Sequence, residues 1–148
     1  MPIVDDVTSQ LKLAMKAKDK IRLSALRSMR TAFLNEMKRD GSERISDEVC
    51  ESLLRKLEKQ RKESIEAFAK AGRHEMADAE NGELAVIQEF LPDLADEAQT
   101  RAWVEAAIAE SGASDPKEMG RVMGILMKAH KAEIDGNLAR NIVQELLR

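Results

Sequence analysis

The side chains of this 148-residue chain that could hold a metal, attack a substrate or move a proton are few and scattered. His74 and His130 are the only histidines, lie far apart in sequence, and sit in no ligand motif. A zinc site needs four protein ligands, or three and a water, and no such set assembles here. Cys50 is the single cysteine, so no internal disulfide can form, and it reads as a small buried residue rather than a nucleophile. The carboxylates mostly interleave with bases. Glu51/Arg55, Glu58/Lys62 and Glu66/Lys70 are i,i+4 pairs in the favourable order, the pattern of a solvated helix face. No phosphate-binding loop, dinucleotide fingerprint or nucleophile elbow occurs. The residues therefore point to no catalytic group, no cofactor and no metal.

Two features remain. Residues 12–30 carry seven bases, Lys12, Lys16, Lys18, Lys20, Arg22, Arg27 and Arg30, against one acid, Asp19. At helical spacing Lys20, Arg27 and Lys38 share an edge that could follow a phosphate backbone, or could serve solubility alone. Arg30 falls inside the apolar face, where it is expected to pair with a carboxylate or to snorkel to the rim. The second feature is GRVMGILMKAHKAEIDG, Gly120 to Gly136. Each of its two helix-interior glycines costs about 1 kcal/mol against alanine. One explanation is close packing of two helices across a glycine notch. The other is a notch for a nucleic-acid backbone or a partner, with Arg121, Lys128 and Lys131 beside it. The candidate binding residues are therefore Lys16, Lys18, Lys20, Arg22 and Arg27 in the basic joint, and Gly120, Arg121, Gly124, Lys128, Lys131 and Gly136 in the tail.

The elements that position these residues are all helical. The sequence is 34% charged and 43% hydrophobic, rich in Leu, Ala, Glu, Lys and Arg, with eight Met and only seven Gly and three Pro. Helices are expected over residues 4–17 and from an Asp19 cap to Asp40-Gly41. A third runs from Ser46 to Ala71-Gly72 with a stripe of Val49, Leu53, Leu57, Ile65 and Phe68. A fourth spans His74 to Phe90, kinked or broken at Asn81-Gly82. Leu91-Pro92 is the clearest boundary. Beyond it Asp96, Asp115-Pro116 and Asp135 start three shorter helices, the sixth ending near Lys131. The fold expected is all-α, a helical N-terminal domain over 1–92 and a compact three-helix domain over 93–148. No apolar run approaches a membrane span, no signal pattern opens the chain, and the lone cysteine suits a reducing compartment, so a cytoplasmic protein is expected. A net charge of −3 and one Trp, three Phe and no Tyr leave little for base stacking. Any RNA contact would run through shape and backbone, with no DNA specificity.

GASDPKEMGRVMGILM, followed by Asp-Gly and a short helix ending ELL, resembles the C-terminal part of the GatB/YqeY family. AMKAKDKIRLSALRSMRTA and IQEFLPDL are similar to the corresponding parts of the stand-alone YqeY-like proteins, in the same order. The resemblance covers essentially the whole chain. It implies kinship with the helical tail of GatB, a subunit of the enzyme that amidates Glu-tRNA(Gln) or Asp-tRNA(Asn) with glutamine as amide donor. There the tail helps hold the tRNA. The family label it brings is a carbon–nitrogen ligase with glutamine as amido donor, and the residues matching the glycine motif are Gly120, Met123, Gly124, Asp135 and Gly136. One departure is Lys131-Ala132-Glu133-Ile134, where the family usually has Lys-Gly. With no nucleotide-binding motif, the expected role is a tRNA-binding accessory without catalysis of its own. The alternatives are a protein–protein adaptor using the Met-rich notch, and an amide-transferring enzyme.

Overall fold

Side-chain caps set most of the helix starts. In the computed structural model, which describes Met1–Arg148, α1 covers Ile3–Ala17, α2 Lys20–Asp40, α3 Asp47–Lys70 and α4 His74–Gln88. Asp19 and Ser46 accept hydrogen bonds from the Arg22 and Val49 amides, each relieving one of the unpaired donors of a first turn. Gly41 closes α2 in the left-handed conformation. The α1–α2 joint does the same with a lysine. Lys18 has φ 55° and ψ 34°, a conformation that costs a side-chain-bearing residue about 1 kcal/mol.

These four helices form one unit, Met1–Leu91, with a core of its own. α2 supplies its centre through Ala25, Leu26, Met29 and Phe33, which meet Val7, Leu11 and Ala14 of α1, Cys50 and Leu54 of α3, and Val86 and Ile87 of α4. Two expectations need correction. The buried stripe of α3 is Cys50-Leu54-Glu58, one residue on from Val49-Leu53-Leu57, which lie at its edge. α4 runs unbroken through Asn81-Gly82. A Cβ on Gly82 would stand 3.0 Å from Ile21 Cγ2, so this glycine lets α2 approach rather than ending the helix.

The second unit is Pro92–Arg148. It holds α5 (Glu97–Ser111), a 3-10 turn at Pro116–Glu118, α6 (Met119–His130) and α7 (Gly136–Leu146). Asp96 caps α5, and Asp115 with Glu118 forms a capping box before α6. Asp135 caps α7 by accepting from Asn137 and Leu138. Val104, Ala107, Val122, Leu126, Ala139, Ile142 and Val143 fill the space between the three helices. Ile134 plugs the α6–α7 turn into this core, and the Glu133 carbonyl accepts from the Ala95 amide at 2.7 Å. No helix is long and apolar enough to cross a membrane.

Candidate functional site

The glycines of α6 do not pack against another helix. A Cβ built on Gly120 or on Gly124 meets nothing within 4 Å, and both residues are exposed. Close helix packing across the notch is therefore overturned. α6 turns Val122 and Leu126 into the core and half-buries Met119, Met123 and Met127 against it. The glycines fall on the opposite side. At 3.6 residues per turn, Gly120, Gly124, Lys131, Lys128 and Arg121 lie within an arc of about 100°. All five are exposed. The result is a strip of bare backbone flanked by three cations.

Two of those cations are uncommitted, since Lys128 and Lys131 form no ion pair. Arg121 pairs with Glu118 at 2.9 Å while staying mostly exposed, a surface interaction of small energy. Gly136 is placed apart from the strip, half-buried as the first residue of α7. The methionines that recommended an adaptor surface spend much of their area on the core of this unit instead.

The basic joint divides into free and engaged residues. Lys16, Lys18, Lys20 and Arg27 are exposed and unpaired. Arg22 is half-buried, donating to Glu89 at 2.6 Å and to Gln10 at 3.1 Å, so it ties α1 and α2 to the residue that follows α4. Arg30 neither pairs nor hides: it is exposed, with the half-buried Leu23 and the exposed Leu34 beside it on the helix. The sequence also missed a polar cluster between α3 and α4. Glu58 is buried, accepting from Arg55 at 3.2 Å and from Gln88 at 3.2 Å. Arg61 pairs with Glu80 and Glu83 at 3.1 and 3.4 Å. The Glu58–Gln88 and Arg61–Glu80/Glu83 contacts join α3 to α4, while Arg61 Nε is buried without a hydrogen-bond partner. The one signal available in sequence was Glu58 continuing the line from Cys50 through Leu54.

The groups considered for chemistry sit as follows. Cys50 is fully buried and its thiol is pushed up to about 11, first by burial and then by the Asp47 and Glu51 carboxylates, with a hydrogen bond to the Val4 backbone acting the other way. His74 is exposed at the start of α4. His130 stacks on Trp103 with ring centroids 3.8 Å apart and planes 7° from parallel. Its Nδ1 is screened from solvent and has no hydrogen-bond partner, Glu133 Oε1 being 3.6 Å away. No three His, Cys, Asp or Glu side chains come close enough to hold a metal ion.

Comparison with known proteins identifies the family. Residues 4–147 match the family model described as Yqey-like protein. The "Altered inheritance of mitochondria protein 41, mitochondrial" of Lachancea thermotolerans is 33% identical over 116 residues, covering 76% of this chain and 62% of its own length. Its namesake in Pyrenophora tritici-repentis is 26% identical over 148 residues, covering 98% of this chain and 81% of its own. Both relatives extend beyond the region they share with this chain. A match that takes in both helical units, with the α6 glycines inside it, makes this chain a member of the YqeY-like family.

Proposed function

We propose that the protein is a tRNA-binding accessory module, and that α6 contacts the phosphate backbone through its bare strip. The observation that carries this reading is the pair Gly120 and Gly124, exposed inside a helix with no neighbour to accommodate. Two such residues forgo about 2 kcal/mol of helix propensity with no packing return. Bare backbone flanked by Arg121, Lys128 and Lys131 suits a ligand that is anionic and comes close. The likeness of this region to the tail that holds tRNA in the amidotransferase supports the same ligand. A module of this kind positions RNA for a partner's chemistry and needs no nucleophile of its own. It belongs in a reducing, tRNA-containing compartment. The cytoplasm is our reading, while the fungal relatives carry "mitochondrial" in their names.

The test is equilibrium binding of unfractionated tRNA, with duplex DNA as control, at about 50 and 200 mM salt, where phosphate-dominated affinity falls steeply. The reading expects tRNA-preferring binding that weakens across this range. Equal binding of tRNA and DNA, or none at the lower salt, contradicts it. Nuclease-resistant retention of a protein partner, lost in Gly124→Leu, would favour the adaptor instead.

A further inference from the structure

The outer face of α2 carries charge of one sign along its whole length. Lys20, Arg27 and Lys38 project from it, Ser24, Thr31 and Asn35 stand between them, and Arg30 borders it. Lys20, Ser24, Arg27, Arg30, Thr31, Asn35 and Lys38 are all exposed, and the two acids of α2, Glu36 and Asp40, fall on the opposite side at helical spacing. Every position three or four residues from Lys20, Arg27 or Lys38 is uncharged or basic, namely Lys16, Ala17, Leu23, Ser24, Arg30, Thr31, Leu34, Asn35, Gly41 and Ser42. None of these three cations forms an ion pair. The arrangement is unlike α3, whose outer face alternates acids with bases and pairs Glu66 with Lys70 at 3.0 Å. It is also unlike the chain as a whole, whose net charge is −3. A face built for solubility gains a few tenths of a kcal/mol from each i,i+3 or i,i+4 acid–base pair; this face of α2 has none, the Glu36–Arg39 pair of the helix lying off it.

We infer that this face is a second, separate contact for the RNA backbone. Lys20 and Lys38 are 18 residues apart, about 27 Å along the helix axis, a length that spans several successive phosphates. The hydroxyls and amide between the cations are hydrogen-bond donors of the kind that fix a protein on a phosphate–sugar backbone without reading sequence. The occupant is RNA rather than an anionic membrane. An interfacial helix inserts a continuous apolar face into lipid, whereas the core of its own unit takes Ala25, Leu26, Met29 and Phe33 of α2 and leaves only Ile21 and Leu34 as large apolar side chains exposed on it. The identity of the polyanion rests on the tRNA reading above. The contact itself rests on α2.

Two sets of charge-neutralising variants of the full chain separate these claims. The first is Lys20→Gln/Arg27→Gln/Lys38→Gln, the second Arg121→Gln/Lys128→Gln, each checked for native helicity by circular dichroism. All substituted side chains are exposed. Binding of unfractionated tRNA is measured from about 50 to 200 mM salt. Each lost phosphate contact removes about 0.7–0.9 from the slope of log affinity against log salt. The α2 variant is expected to lose about two units of slope and about tenfold or more in affinity at intermediate salt. If the α2 variant keeps wild-type affinity and slope, the inference is overturned, even when the α6 variant loses binding and upholds the proposed function. If only the α2 variant loses binding, the inference stands and the α6 reading falls. Binding of phosphatidylserine vesicles that the α2 variant loses, with tRNA binding intact, overturns the inference in favour of a membrane.

Discussion

A side chain's chemistry here follows from what surrounds it more than from its type. Cys50 is the clearest instance. Buried between α1 and α3 with two carboxylates near it, its thiol stays protonated well above the ordinary range. It should resist alkylation by iodoacetamide in the native protein and react only as the chain opens. The sign of its pH dependence follows. A thiol whose folded pKa exceeds its unfolded value stabilises the fold fully below about 9 and loses that contribution as pH rises toward about 11. The difference in denaturant midpoint between the wild type and Cys50→Ala should therefore shrink over that window. A difference that stays constant with pH would show that the thiol ionises equally in both states. Cys50 was legible in sequence as a buried residue because it lacks any partner for redox or metal chemistry. Glu58 was not. A glutamate counts as surface in any hydrophobic pattern, and only Arg55 and Gln88, the latter from another helix, make its burial tolerable.

Among the helices, those features that depend on the local chain were legible and those that depend on a neighbour were not. Asp19, Ser46, Asp96, Asp115 and Asp135 all cap helices, because a cap is decided by residues two or three positions away. The Asn81-Gly82 dipeptide misled for the opposite reason. Its local preference is to break a helix, and the contact with Ile21 that uses the glycine comes from α2. Gly120 and Gly124 are neutral in any hydrophobic count, so the sequence alone did not show which way they face. Their surroundings set up a comparison in stability. Gly120→Ala and Gly124→Ala should each raise stability by about 1 kcal/mol, the difference in helix propensity with no clash to oppose it. Gly82→Ala should gain less, because Ile21 must yield a few tenths of an ångström. Chemical denaturation of the three single variants decides this. An equal gain at all three positions would mean that the Ile21 contact is unimportant.

For the molecule as a whole, the all-α class and the YqeY-like family were readable from composition and from three separated motifs. The charge economy was readable only in part. The excess of base over residues 12–30 is plain in sequence, but its division into a face of free cations on α2 and an engaged Arg22 is not, since Glu89 lies on a distant part of the chain. In a protein of net charge −3, Lys20, Arg27 and Lys38 in one unit and Lys128 and Lys131 in the other form no ion pair, and the proposed RNA contacts rest on these local cations rather than on bulk attraction. The α6 strip is the sharper of the two, because its glycines lose stability with nothing in the fold to offset it. The affinity of Gly120→Ala/Gly124→Ala for tRNA at about 100 mM salt, measured beside its melting temperature, tests that most directly. The expected result is a more stable protein that binds tRNA about fivefold or more weakly, a loss of about 1 kcal/mol. A variant that is more stable and binds as well as the wild type would contradict it.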